Sequence, residues 1–283
     1  MSPLLFPAFN DSNTATALHC KDGDWTYAAL NKYINQTASA LLGNSKDLAE
    51  ERIAFFMPAS ADYVALLLGI WRAGGIAIPL NTSAALPELE HALLSAGVTR
   101  LVISGSTDAQ VHLGLQALCD KLRVRVLQME ELVAQTAATA DTVKLPILAP
   151  KRRAMILFTS GTTNKPKGVV STHQNIATQI TTLLQAWAWH SSDRIPLFLP
   201  LHHIHGIINV LCCALWQGAE LTLFARFEMD TLLQQVEQHR YTVFMAVPTI
   251  YVKIIQQLEA LPAPQRAAVC AGFAAMRLNV SGS

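Results

Sequence analysis

The chain has 283 residues, a formal net charge of +1, 51% hydrophobic residues and 14% charged residues. It is therefore too apolar for a disordered segment. The one cluster of cations is Lys151-Arg152-Arg153, so no nucleic-acid partner is expected. No uninterrupted apolar run approaches the roughly 20 residues that cross a bilayer, and residues 1–10 lack a basic stretch ahead of an apolar one, so no transmembrane segment or leader is expected.

Length just past the point where one core stops growing predicts two subdomains, here 1–190 and 191–283. Cys20, Cys119, Cys212, Cys213 and Cys270 are odd in number and form no CxxC pair. That pattern fits reduced thiols and a cytoplasmic location. Apolar runs recur between Gly, Pro and polar residues, and an amphipathic stretch follows each. Residues 52–57 read as a buried strand, 61–73 as its covering helix and 76–80 as the next strand, after the break at Gly74-Gly75. This is a βαβ unit. The alternation continues with a helix over 87–96, a strand over 100–104, a helix over 109–122 and a strand over 124–128. Residues 133–150 read as a connecting loop. The strand 154–159 follows, then a polar loop, a strand at 168–171 and a long helix over 173–189. The second block has strands at 195–199, 220–224, 243–247 and a buried one at 276–280. Its helices fall at 206–216, 230–239 and 248–258. The fold class is α/β, with parallel-sheet subdomains flanked by helices. A sheet rarely ends on its own strand, so an incomplete C-terminus is expected.

Residues 158–168 carry the most chemistry: Phe158-Thr159-Ser160-Gly161-Thr162-Thr163-Asn164-Lys165-Pro166-Lys167-Gly168. Short side chains let backbone N–H groups reach phosphate oxygens, hydroxyls donate further hydrogen bonds, and lysine supplies charge. Thr159, Ser160, Gly161, Thr162, Thr163, Lys165 and Lys167 are the candidate phosphate-binding residues. The Walker pattern needs glycine where Pro166 stands and Ser or Thr where Gly168 stands, so this is not a Walker loop and little supports a P-loop NTPase. His202, His203 and His205 have no Cys, Asp or Glu at ligand spacing, so no metal site is assigned to them. His173 and Asn175 open a helix, where capping is the expected role.

The string resembles the signature TSGTTGxPKG of the adenylate-forming superfamily of acyl-CoA synthetases, luciferases and peptide-synthetase adenylation domains. It departs only at Asn164, the non-glycine type that best tolerates positive φ. Trp25-Thr26-Tyr27-Ala28-Ala29-Leu30 resembles the family's TYxEL element, with Ala29 in place of Glu. Residues 199–206, Leu-Pro-Leu-His-His-Ile-His-Gly, resemble the PxxHxxG element lining the acyl pocket, and residues 246–251 resemble the VPTxY element on the opposite wall. With residues 171–176 and the closing Ser281-Gly282-Ser283, the likeness is to the malonyl-CoA synthetase branch.

The resemblance implies an ATP-dependent carboxylate–CoA ligase working through an acyl-adenylate. ATP, Mg²⁺ and coenzyme A are the implied cofactors, and malonate or a similar short dicarboxylate is the implied substrate. His203, His205, Thr249, Lys253 and Ser283 are the implied pocket residues, with Lys253 holding the second carboxylate. On periodicity alone Lys253 is a solvated helix residue. The family places its Mg²⁺ ligand, ribose-binding Asp and C-terminal lysine beyond Ser283, so the 283-residue chain alone is expected to be inactive. Two alternatives stand beside this reading. One is a medium- or long-chain fatty acid–CoA ligase, and the other a truncated nucleotide-binding module without turnover.

Overall fold

The computed structural model describes residues 6–134, 144–159 and 166–282. The chain opens with β1 (Thr16–Cys20), β2 (Gly23–Thr26) and α1 (Tyr27–Leu42). A run of β/α units follows: β3 (Arg52–Phe56), α2 (Ala61–Arg72), β4 (Ile76–Pro79), α3 (Leu86–Ala96), β5 (Arg100–Ile103), α4 (Ala109–Leu122) and β6 (Arg125–Gln128). Then come α5 (Met129–Ala134), β7 (Arg153–Thr159), β8 (Lys167–Thr172) and α6 (His173–Ala186). The six strands from β3 to β8 form one sheet in the order β6-β5-β3-β4-β7-β8. β3 lies between β4 and β5, parallel to both. Burial on both faces explains why Ile53 to Phe56 is unbroken apolar sequence rather than an alternation. α2 starts on Ser60, whose side chain accepts from the Tyr63 N–H. It stops at Gly74, whose φ of +83° favours glycine. Arg152 donates from Nη2 to the Gly74 carbonyl at 2.6 Å and from Nη1 to Asp47 at 2.5 Å, which locks the turn.

The second half contributes β9 (Arg194–Leu197), a π-helical segment (His205–Cys212), α7 (Cys213–Gln217), β10 (Glu220–Leu223) and α8 (Met229–Glu237). It ends with β11 (Val243–Ala246), α9 (Pro248–Ala260), α10 (Ala263–Ala274) and β12 (Leu278–Ser281). A second sheet has the order β2-β1-β10-β9. The parallel pair β11-β12 is fastened to β9, where the Thr242 N–H donates to the Arg194 carbonyl at 2.9 Å.

The structure departs from the sequence reading at four places. The sheets do not divide at residue 190, because β1 pairs in parallel with β10. The sheet is not parallel throughout: β8 runs antiparallel to β7 as a hairpin edge, with Val169 and Val170 about half exposed. The helix expected over 206–216 is π-helical over its first two turns, where almost every residue is buried and no single face sets the pitch. The strand expected at 276–280 starts at Leu278 and alternates half-buried with exposed residues, since β11 is its one partner among the described residues.

One apolar core joins the sheets, running from Leu18 through Ile53, Trp71 and Met155 to Leu211 and Val243. Tyr27 Oη donates to the Ala219 carbonyl at 2.7 Å, and Tyr63 Oη to the Leu201 carbonyl at 2.5 Å.

Candidate active site

The β7–β8 hairpin aligns Thr159 with Lys167, so both phosphate-binding candidates stand side by side at the base of the glycine-containing loop. Both are exposed. Lys167 forms no ion pair among the described residues, which leaves its ammonium available to an anion. Ser160, Gly161, Thr162, Thr163 and Lys165 lie outside the described residues, as does Ser283. From α3, His91 donates through Nε2 to the Pro166 carbonyl at 2.8 Å and meets Phe158 edge-on, pinning both ends of the hairpin turn.

Opposite the hairpin, the chain leaves β9 and turns at Pro200 into the histidine segment. Tyr63 Oη holds the Leu201 carbonyl from below. The rings of His202 and His203 lie 4.2 Å apart. Burial, reinforced by His203, pushes His202 down to about 4, so it is a neutral ring at physiological pH. His202 and His203 join Phe158, Pro166 and Asn81 around a cavity of about 290 Å³. The loop flanks and the histidines, separate in sequence, thus share one wall. Glu88 is the one carboxylate on it.

His205 faces the other way. Its Nε2 is buried without a hydrogen-bond partner among the described residues, burial lowers its pKa, and its ring edge lies against Gly282, 3.7 Å from where a Cβ would stand. Tyr251 Oη donates to the Val280 carbonyl at 3.0 Å, which seats the start of α9 beside the end of β12. Thr249 and Lys253, one turn apart on α9, are both exposed and do not line the histidine cavity. The Thr172 side chain caps α6 in a reciprocal box with Asn175, as expected of Asn175, whereas His173 is buried. Among the described residues no group of three or more His, Cys, Asp and Glu side chains is placed to hold a metal ion.

A larger groove, of about 1390 Å³, opens where the carboxyl ends of β3, β5 and β10 face each other. Lys21, Arg226 and Arg240 are among the residues that line it. It occupies the position where open α/β sheets bind ligands. Its residues carry no motif, and His91 is a lone histidine on a helix, so neither was visible in the sequence. The rule that sites gather at strand carboxyl ends was the available signal for the groove.

A family profile described as AMP-binding enzyme matches residues 8–281. Among curated proteins, the chain is 37% identical over 217 residues to the mitochondrial malonate–CoA ligase of Homo sapiens, a match covering 74% of this chain and 37% of that protein. It is 35% identical over 259 residues to the Xenopus laevis counterpart, covering 86% and 43%. The crystal structure of ATP-bound MatB from Rhodopseudomonas palustris superposes with a TM-score of 0.83 at 26% identity, covering 100% of this chain and 55% of that one. The chain therefore spans less than half the length of these curated relatives. No helix among the described residues is long and apolar enough to cross a membrane.

Proposed function

Because this chain belongs to the AMP-binding enzyme family, we propose that it forms the nucleotide-gripping and acyl-binding part of an ATP-dependent carboxylate–CoA ligase. The observation that carries the proposal is the cavity of about 290 Å³ on which the flanks of the phosphate loop, Phe158 and Pro166, meet His202 and His203. A carboxylate bound there lies next to the triphosphate held by Thr159, Lys167 and the loop between them. Attack by its oxygen on the α-phosphorus gives an acyl-adenylate and pyrophosphate, and a thiol then displaces AMP. The residues of this chain position the reactants and offset phosphate charge, which is where catalysis of phosphoryl-group chemistry concentrates. A neutral His202 can line the acid without adding or withdrawing a charge.

The substrate we assign is malonate or a similar short dicarboxylate. The volume of about 290 Å³ falls just below the usual range of ligand pockets, roughly 300–1,000 Å³, which disfavours a long alkyl chain. The malonate–CoA ligases of Homo sapiens and Xenopus laevis, at 37% and 35% identity, support the same substrate. The family resemblance assigns Lys253 to the second carboxylate and Thr249, His203, His205 and Ser283 to the pocket walls. Of the described ones, His203 lines the cavity of about 290 Å³, while Thr249, Lys253 and His205 stand outside it. Coenzyme A is the assigned thiol. The groove of about 1390 Å³ has room for a molecule of nucleotide size, and on its wall Lys21, Arg226 and Arg240 stand beside Asp24, Asp108 and Glu228. The described residues supply no cage for Mg²⁺. The ion would arrive on the phosphates of ATP, which is its usual mode of binding. Cys119, Cys212 and Cys213, buried and unpaired, fit a reducing compartment such as the cytoplasm.

The deciding experiment supplies the protein carrying this sequence with ATP, Mg²⁺ and coenzyme A and offers malonate, acetate and palmitate in parallel. Malonyl-CoA should be the dominant thioester by mass spectrometry, with AMP released in equal amount. Preference for palmitate would replace the dicarboxylate assignment with a fatty acyl one. ATP binding without any thioester would favour a nucleotide-binding module.

A further inference from the structure

A second polar cavity lies away from the hairpin, where α1, α2, the start of α6 and the segments around Phe9 and Leu145 meet. Its volume is about 240 Å³. Phe9, Leu68, Trp71 and Leu145 are among its apolar walls, and Asn31, Asn35, Arg72 and His173 supply the polar side.

Arg72 brings a positive charge to this cavity and forms no ion pair among the described residues. Its Nη1 donates to Oδ1 of Asn31 at 2.9 Å and to Oδ1 of Asn35 at 2.5 Å, and its guanidinium carbon lies 5.6 Å from the centre of the Phe9 ring. Asp11, the one acidic group acting on it, is itself bound by Nδ2 of Asn31 at 2.9 Å. Desolvation lowers the Arg72 pKa to about 10, the mark of a charge held without full compensation. His173, only 1% exposed, has no hydrogen-bond partner at either ring nitrogen among the described residues. Burial, with the Arg152 guanidinium adding to it, pushes His173 down to about 4 against the opposing pull of Glu50, so the ring is neutral and offers one N–H. Buried polar groups in folded proteins are ordinarily hydrogen-bonded, and an exception calls for a partner.

We propose that this cavity is a second binding site, separate from the adenylation site, for a small organic carboxylate. The carboxylate pairs with the Arg72 guanidinium and accepts the His173 N–H, and the apolar body packs on Leu68 and Trp71. One guanidinium balances one negative charge, which favours a carboxylate over a dianionic phosphate. Arg152 cannot supply a second, because Asp47 and the Gly74 carbonyl already occupy it. The apolar wall rewards a ligand with a hydrocarbon face.

Benzoate is the probe with an apolar body, and inorganic phosphate the probe with charge alone. Benzoate titrated into the purified protein should shift the Trp71 indole and the His173 ring resonances and saturate at one site, whereas phosphate should not. Saturating ATP should leave benzoate in place, which separates this site from the hairpin. Arg72→Met should weaken benzoate about 10-fold or more, the usual loss with a charged hydrogen bond. Leu145→Trp fills the cavity and spares both polar groups, so it should weaken benzoate comparably and decides the matter should Arg72→Met not fold. Absence of saturable binding, or binding that survives Leu145→Trp, overturns the proposal and leaves a hydrated cavity. Phosphate binding as tightly as benzoate overturns the ligand class.

Discussion

Lys253 stands exposed on α9, one turn beyond Thr249, with no ion pair among the described residues. A dicarboxylate keeps a second charge after the first carboxylate is adenylated, and burying that charge unpaired costs several kcal/mol. An available ammonium offsets the cost. Lys253→Met keeps much of the apolar stem and deletes the charge. It should lower kcat/KM for malonate about 10- to 150-fold, the equivalent of one charged hydrogen bond. Activity on acetate should fall little, because the change removes nothing that acetate uses. Steady-state kinetics on both acids decide it, and an equal fall for both would assign Lys253 to the fold. Nothing in periodicity separates such a lysine from a solvated one. Its place after Val247-Pro248-Thr249-Ile250-Tyr251 is what singles it out. Thr159 and Lys167 could be proposed from sequence because the chemistry of their loop is local. The contacts of His91 with Pro166 and of His205 with Gly282 were not, since each depends on how distant segments pack.

At the scale of elements, the histidine turn depends on a single glycine. Gly206 is buried, and a Cβ there would lie 2.6 Å from the Pro200 carbonyl oxygen and 3.3 Å from that of Leu199. Backbone cannot rotate aside as a side chain can, so the close approach fixes Gly206 where the chain bends back into the π-helical segment. Such segments occur often at functional sites. Gly206→Ala should destabilise the protein by about 1–3 kcal/mol, the usual cost of overpacking. It should also displace His203 and His205 and lower kcat/KM for malonate further than the stability loss alone explains. Urea unfolding and kinetics on the same variant check both parts. Full stability in Gly206→Ala would mean that the turn yields without strain. The apolar run at 206–212 signalled a buried element, but its pitch was beyond the sequence because nearly every residue is buried. α10 was missed for a related reason: Ala263–Ala274 is alanine-rich and weakly amphipathic, so little marks its inner face.

Over the whole molecule, the β/α alternation from β3 to β6 was readable because each unit buries its own apolar run against its own helix. The pairing of β1 with β10 was not, since no local pattern records which distant strand a short N-terminal strand will join. That pairing, the Tyr27 bond to Ala219 and the shared core tie the two sheets into one body. Tyr63 tests the coupling. It belongs to α2 on the first sheet, is 2% exposed, and donates to Leu201 at the base of the histidine turn at 2.5 Å. Tyr63→Phe keeps the ring and leaves the Leu201 carbonyl without its partner, a loss of about 1–3 kcal/mol. With one core, that loss cannot stay in either half. Single-tryptophan versions reporting from Trp71 on α2 and from Trp216 on α7 should show one transition in urea, shifted by the same free energy in Tyr63→Phe. If the Trp216 signal moves and the Trp71 signal does not, the sheets unfold independently and the chain is two cooperative units.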